Sequence, residues 1–139
     1  MSTDLYQALI VEHDRHPRHR GALAQPTHAA TLDNPLCGDI ATVQLVVEAG
    51  RVREIACDGR GCALSRAAAS LMAERVAGAD VAEIAALAAT FEAFVAAPVD
   101  APVPAELGDL AVFRGVRGAR SRRTCATLPF RALLAALRG

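Results

Sequence analysis

The sequence predicts an α+β fold: a small antiparallel sheet of about three strands, packed against helices, in a single domain spanning residues 1–139. Two segments separated by Ala49-Gly50 alternate apolar and polar residues, as the strands of a hairpin do. Most other segments repeat their apolar residues at helical spacing. A chain of 139 residues is long enough to bury one hydrophobic core without disulfides or repeats.

The first predicted helix covers residues 2–15, because Leu5, Leu9 and Ile10 fall on one face. Pro17 then ends it, since proline removes a backbone donor and fixes φ.

The predicted hairpin consists of residues 41–48 and 51–58. Val43, Leu45 and Val47 lie on one side of the first strand, and the second strand returns with Ile55 and Cys57 on one face. One face of this hairpin therefore belongs to the core.

The rest of the chain is predicted to be mainly helical. One helix opens at Cys62, and another follows Asp80. Residues 97–106, which contain three prolines, form a connector, and residues 107–116 form a short helix. The last helix has Pro129 in its first turn, where a missing N–H costs nothing.

Composition argues against two classes of partner. The chain has 15 acidic and 15 basic residues, all of the latter arginine, so bulk charge favours neither nucleic acid nor an anionic membrane. The most apolar segment, 81–99, is interrupted by Glu83 and Glu92, which disfavours a membrane span. Residues 1–14 lack the features of a signal peptide. We therefore expect a cytoplasmic protein, in which thiols stay reduced.

The four cysteines do not all have the same predicted role. Cys57 lies mid-strand at a core-facing position and is predicted to be a small buried apolar residue. Cys62 and Cys125 are each predicted at a helix start, with Thr127 as a possible cap for the last helix. Unpaired N–H groups there would lower the thiol pKa. Their spacing matches no compact zinc motif, so core and functional roles remain equally open for these two.

Cys37 is harder to explain as a core residue, because it stands in NPLCGD, between proline-stiffened backbone and a glycine. Gly38 leaves space for a large atom near the thiol, and Asp39 adds a hard oxygen ligand beside a soft sulfur. Three thiolates and a carboxylate would suit Zn²⁺ or the irons of an iron–sulfur cluster.

Three histidines, His13, His16 and His19, are spaced at i, i+3 and i+6. Pro17 breaks the helix that would align them, and interleaved arginines repel a cation. A solvated basic helix end or a docking surface is therefore favoured over a metal site, and the role of the segment stays open.

Four segments resemble, in order, the landmark segments of the NifU/IscU-like iron–sulfur assembly family: LYQALIVEHDRHPRHRG, NPLCGD, GRGCALSRAAASLM and CATLPFRALLAAL. The resemblance covers nearly the whole chain and implies the SufE/NifU-like fold. Carried over residue by residue, it implies a metal-binding set of Cys37, Asp39, Cys62 and Cys125, with an ordinary core side chain at Cys57.

Within that family the chain resembles most the SufU branch, whose mark is a longer stretch between the second and third family cysteines. Scaffold-type members carry histidine directly before the last cysteine, where this chain has Thr124. The proline-rich chaperone-recognition stretch is replaced by RGARSRR. Arg122 matches a basic position of the SufU branch and is a weaker site candidate.

The resemblance implies a zinc-bound sulfur acceptor, a carrier with sulfurtransferase-like chemistry rather than a turnover enzyme on its own. Cys37 would take persulfide sulfur from a SufS-type cysteine desulfurase and pass it to downstream iron–sulfur assembly proteins. Gly38 and the loop would let Cys37 move, while Cys62 and Cys125 stay as anchors.

Two alternatives accompany this expectation. In one, the same four ligands build a [2Fe–2S] cluster for transfer to apo-proteins. In the other, the chain is a structural zinc domain that only binds partners, and Asp39→Ala would lower stability while leaving desulfurase stimulation intact.

Overall fold

A three-stranded antiparallel sheet lies at the centre of the computed structural model, which describes residues 3–36 and 38–138. Its strand order is β1-β2-β3, with these bounds: β1 His28–Asn34, β2 Asp39–Glu48 and β3 Arg51–Arg60. The hairpin of β2 and β3 turns at Ala49 and Gly50, which both have positive φ, so the predicted hairpin is confirmed.

The strand β1 completes the sheet that the fold class requires, although the sequence pattern located only the other two strands. Its register pairs Asn34 with Asp39 across a short connection to β2. Ala30 and Leu32 pack against the core, while Ala29, Thr31 and Asp33, which alternate with them, are exposed. β1 is therefore an edge strand with a short apolar face, which explains its weak signal.

Four α-helices and one 3₁₀ helix accompany the sheet in the described part of the chain. Their bounds are α1 Thr3–Arg15, α2 Ala63–Val76, α3 Val81–Ala96, the 3₁₀ helix Ala105–Val116 and α4 Arg120–Arg138. Asp80 caps α3 by accepting a hydrogen bond from the N–H of Ala82 at 2.8 Å. The 3₁₀ helix is interrupted at Gly108, whose φ is 54°.

The prediction for the start of the last helix was wrong. α4 begins at Arg120, so Pro129 lies inside the helix rather than in its first turn. Thr127 is not a cap either, since its hydroxyl donates back to the carbonyl of Arg123 at 3.0 Å. A hydroxyl bonded to the preceding turn is compatible with the helix interior.

The core lies between one face of the sheet and the helices. Val43, Leu45, Ile55 and Cys57 line the inner face of β2 and β3. α4 packs across β1 and β2, α2 packs beside it near β3, and α1 lies on α2. α4 and α2 thereby carry their residues to the same end of the sheet, where β2 begins.

Four phenylalanines form the apolar centre between the helices. Phe91 of α3 stacks on Phe130 of α4 with ring centroids 4.4 Å apart, and it meets Phe113 edge-on at 5.7 Å. Phe94 lies beside Phe91 at 6.1 Å. Such pairs add specific geometry to apolar burial and fix α3 and the 3₁₀ helix against α4.

Arg117 is buried and ties the proline-rich connector to the end of α3. Its guanidinium donates to the carbonyls of Phe94, Val99, Ala101 and Pro102 at 2.7–3.3 Å. The same group lies 4.4 Å from the centroid of the Phe94 ring. A buried cation held by carbonyl oxygens explains how residues 97–104 are fixed without secondary structure of their own.

Candidate metal centre

Asp39 is held at the first position of β2 by the turn that precedes it. The carbonyl of Asn34 accepts from the N–H of Gly38 at 2.7 Å, and its side-chain oxygen accepts from the N–H of Leu36 at 3.1 Å. Gly38 has a φ of 76°, which favours glycine. Asp39, which follows this turn, is buried, with 5% of the residue exposed.

Cys62 is the N-cap of α2, directly before its first residue, Ala63, so the prediction that it lies at a helix start is confirmed. Its backbone is extended there, with φ −71° and ψ 168°. Its N–H donates to Oδ1 of Asp39 at 3.2 Å, and its Sγ lies 3.6 Å from Oδ2 of the same carboxylate. The start of α2 therefore meets the start of β2 through these two side chains, and Cys62 is exposed to solvent.

Two glycines allow β3 to bring Cys62 this close to Asp39. A Cβ on Gly59, whose φ is 136°, would lie 2.0 Å from the carbonyl oxygen of Ile40. A Cβ on Gly61 would lie 3.0 Å from both Cγ and Oδ1 of Asp39. The glycines of GRGC thus serve close backbone approach to the site.

Cys125 enters the site from the second turn of α4, which corrects the prediction that it precedes the helix. Its side chain is buried. Pro129, four residues later, has no N–H, so it cannot donate the usual helical hydrogen bond to the carbonyl of Cys125. The position of Cys125 is fixed because it lies within a long helix that packs on the sheet.

The donor atoms of Asp39, Cys62 and Cys125 all lie within 4.8 Å of one another. In residues 3–36 and 38–138 this is the only group of three or more such side chains found close enough to share one ion. Two sulfurs and a carboxylate oxygen match the ligands that zinc and iron take in proteins. The donor set therefore fits a thiophilic dication.

The pKa of the Cys125 thiol is raised well above its usual range, mainly by burial. Hydrogen bonding and charge interaction with Cys62 and Asp39 raise it further. The expectation of a low pKa at Cys125 was therefore wrong for the metal-free protein, since the residue is not at a helix start. A bound cation would favour the deprotonated form of this thiol and so oppose the rise in its pKa.

Cys37 lies outside the described residues. Its neighbour Leu36 is 91% exposed, although leucine is usually buried. Gly38, on the other side, is also exposed, with nothing within 4 Å of where its Cβ would be. The chain on both sides of position 37 is therefore open to an approaching molecule, within two residues of Asp39.

Cys57 lies in the core, as the sequence indicated. It is 6% exposed, and burial raises the pKa of its thiol to about 12. Its N–H donates to the carbonyl of His19 at 2.9 Å, and its carbonyl accepts from Gly21 at 3.0 Å. These contacts fix the segment after α1 against the free edge of β3.

The expected solvated helix end is confirmed for His16 and His19, which are exposed, but not for His13, which is 3% exposed. Its Nδ1 lies 2.7 Å from Oγ of Ser70 in α2, which also accepts from the N–H of Arg18 at 2.8 Å. Burial, followed by the charge of Arg18, lowers the pKa of His13. His16 and His19 are exposed, and His13 serves the contact between α1 and α2.

Two arginines lie close in sequence to the candidate ligands. Arg66, one turn after Cys62, donates to Asp14 at 2.6 Å and to the carbonyl of Gly61 at 3.1 Å. The sequence analysis did not place Arg66 near the candidate ligands. Its position four residues after Cys62, on the same face of a helix, is the pattern that would have indicated it. Arg122 is exposed and lies three residues before Cys125.

Thr124, directly before Cys125, is not part of the group of candidate ligands. Its hydroxyl donates to the carbonyl of Ser121 at 2.7 Å, within α4. The residue directly before Cys125 thus serves the helix backbone.

A three-stranded antiparallel sheet covered by helices, with an aspartate and two cysteines meeting at one end of it, defines a class of small α+β domain whose donor set could hold a metal ion. The chain belongs to the family of NifU-like N-terminal domains, whose family model matches residues 5–126. Both the predicted family and the α+β fold class are confirmed. Among the described residues, no helix is long and apolar enough to cross a membrane.

Two relatives and one solved structure illustrate the similarity. The iron–sulfur cluster assembly scaffold protein IscU of Streptococcus pyogenes serotype M1 is 34% identical over 134 residues, covering 96% of this chain and 83% of the relative. The zinc-dependent sulfurtransferase SufU of Bacillus subtilis (strain 168) is 29% identical over 129 residues, covering 93% and 86%. The crystal structure of a NifU-like protein (N-terminal) from Brucella abortus matches with a TM-score of 0.87 and 31% identity, covering 99% and 96%.

Proposed function

We propose that this protein takes part in iron–sulfur cluster assembly as a zinc-bound sulfur acceptor. Zn²⁺ would be held by Cys37, Asp39, Cys62 and Cys125. The observation that carries the proposal is the convergence of the last three within 4.8 Å, beside the loop that contains Cys37. The zinc-dependent SufU relative supports the choice of metal.

A bound Zn²⁺ would keep the thiols of this site deprotonated at neutral pH. The chain itself supplies two anchored thiols, at the start of α2 and within α4, and a carboxylate fixed by the β1–β2 turn. In the sequence, Cys37 belongs to no predicted helix or strand, and Gly38 follows it directly. We therefore assign the acceptor role to Cys37.

The sulfur donor is a cysteine persulfide on a SufS-type cysteine desulfurase. The Cys37 thiolate attacks the terminal sulfur of that persulfide, and a new S–S bond forms on Cys37. The old S–S bond breaks, and its electron pair leaves on the desulfurase cysteine as a thiolate. The sulfur then passes to downstream iron–sulfur assembly proteins by the same exchange, in the cytoplasm, where the thiols stay reduced.

A sulfur-transfer assay tests this assignment. The protein is mixed with persulfidated desulfurase, and the mass of each chain is read after alkylation. We expect one added sulfur on the wild type and none on Cys37→Ser. The control is Cys57→Ala, which removes a core thiol and should still accept sulfur. Normal transfer to Cys37→Ser would overturn the acceptor role.

A second candidate function is a scaffold that builds a [2Fe–2S] cluster on the same ligands. The similarity to the Streptococcus pyogenes scaffold protein favours it. A carboxylate among thiolates would make such a cluster easier to release. Anaerobic reconstitution with iron and sulfide separates the two functions: zinc that resists replacement by iron counts against the scaffold, and a cluster that moves intact to an apo-protein supports it.

A further inference from the structure

A groove of about 350 Å³ runs between α3 and α4. Arg120, Arg123 and Arg131 line it from α4, and Glu92 lines it from α3. Two apolar residues, Val95 and Ala96, and two threonines complete its walls. We call this feature the arginine groove.

The arginine groove carries an excess of positive charge. Arg131 is paired with Glu92, with an N–O distance of 3.1 Å. Arg120 and Arg123 form no ion pair with any residue that the structure describes. Apart from these three arginines and Glu92, the lining of the groove contains no charged residue. The positive charge is therefore concentrated at the end of the groove where α4 begins.

The groove is long compared with a single small anion. Arg120 and Arg131 are eleven positions apart on one helix, which corresponds to roughly 16 Å at ~1.5 Å per residue. An extended peptide covers that distance with about five residues at ~3.3 Å each. Alternate side chains of such a peptide point to the same side, so acidic residues at every second position would face the arginines.

We propose that the arginine groove is a docking surface for an acidic, extended segment of a partner protein. Its carboxylates would pair with Arg120 and Arg123, where guanidinium groups offer two parallel donors each. Nucleic acid is a poorer fit, because the chain has no net positive charge and its four phenylalanines are buried, which leaves no stacking platform among them.

The arginine groove and the candidate metal centre share α4. Cys125 points into the site from this helix, while Arg123 and Thr124, directly before it, line the groove. A segment bound in the groove would attach its parent protein to the helix that carries Cys125. The proposal does not depend on which metal or sulfur species that centre carries, since the groove contains none of the candidate ligands.

The test is an NMR titration of the isotope-labelled, zinc-loaded protein at low salt. The probe is a capped decapeptide of alternating glutamate and alanine. We expect amide shifts confined to residues 92–96 and 120–131, and binding about tenfold weaker in the double variant Arg120→Ala/Arg123→Ala. Raising the salt concentration should weaken binding as well.

The matched control is Arg53→Ala/Arg138→Ala, which removes the same charge from sites outside the groove. We expect this control to bind like the wild type. Glu92→Gln should bind the peptide several-fold more tightly, because it frees Arg131 from its partner. A higher peptide affinity of Glu92→Gln cannot be explained by misfolding of the variant.

Three outcomes would overturn the proposal. Equal weakening in the groove variant and the control would show that only bulk charge matters. Inorganic phosphate that shifts the same amides at equal charge concentration would show a small-anion site. A single-stranded oligonucleotide that binds the groove more tightly than the peptide would show a nucleic-acid surface.

Discussion

Gly61 controls the position of the Asp39 carboxylate, because an added methyl group would lie 3.0 Å from its Cγ and Oδ1. Cβ atoms in proteins rarely come that near another side chain, so Asp39 would have to move by a few tenths of an ångström. Asp39 also accepts the N–H of Cys62. A small displacement would therefore disturb two members of the candidate metal centre together.

We predict that Gly61→Ala weakens zinc binding about tenfold, a loss typical of changes around metal ligands. Unfolding of the metal-free protein by urea should change less than zinc affinity does, because Gly61 has no positive φ and the remaining close contact of the new Cβ is with Cβ of Ser65 at 3.2 Å. Competition with a chromophoric chelator measures the affinity. Gly115→Ala, where nothing lies within 4 Å of the new methyl group, is the control. Unchanged zinc affinity in Gly61→Ala would show that the carboxylate tolerates the displacement.

Single residues also show how far the sequence predicts the site. The positions of Cys57 in the core and Cys62 at a helix start followed from alternation and from the glycines of GRGC. Cys125 was misplaced because Pro129 resembled a first-turn proline, whereas the polar residues from Arg120 onward already form the helix. Nothing local in a sequence shows that residues 39, 62 and 125 meet, because only the packing of α2 and α4 at one end of the sheet brings them together.

At the scale of whole elements, α1 is attached to α2 through a buried polar contact. His13 is almost fully buried and lies 2.7 Å from the hydroxyl of Ser70. Burial and Arg18 lower the pKa of His13, while nearby acidic groups oppose this effect: Glu74, Glu12 and Asp109. The pattern of apolar residues located α1 correctly but did not show this contact, because Ser70 lies 57 positions away.

We predict that this contact makes stability depend on pH. The ordinary pKa of His13 is 6.5, and folding lowers it. Below pH 6.5 the unfolded chain therefore binds a proton that the folded chain resists. As the pH decreases below 6.5, the free energy of unfolding should therefore decrease by up to ~1.4 kcal/mol per pH unit, until the pKa of His13 in the folded protein is reached. Above pH 6.5 the contribution of His13 is fully present.

Urea unfolding between pH 7.5 and 5.0 measures this dependence. The difference between wild type and His13→Gln isolates the contribution of His13 from that of all other groups. His16→Gln, at an exposed position, should keep the wild-type slope. If the free energy of unfolding depends on pH in the same way for the wild type and His13→Gln, the pKa of His13 is the same in the folded and unfolded chain, and the prediction is wrong.

For the whole molecule, the question is whether the metal holds the fold together or only completes one end of it. The buried apolar cluster extends from the sheet to α3 and the 3₁₀ helix, through Leu45, Met72, Phe91 and Phe113. The candidate ligands lie outside this cluster, at the end of the sheet. We therefore expect the buried apolar residues to be sufficient for folding without the ion, unlike in a zinc finger.

We predict that chelation lowers Tm by about 10 °C but leaves the helical circular dichroism at 25 °C nearly unchanged. A ligand present at about 1,000 times its Kd stabilises by ~4 kcal/mol, and each kcal/mol moves Tm by roughly 3 °C in a domain of this size. Calorimetry with and without EDTA measures the shift. Cys62→Ala, which loses an exposed thiol and little packing, should show a much smaller shift. Loss of the helical signal on chelation at 25 °C would mean instead that the metal and the fold form together.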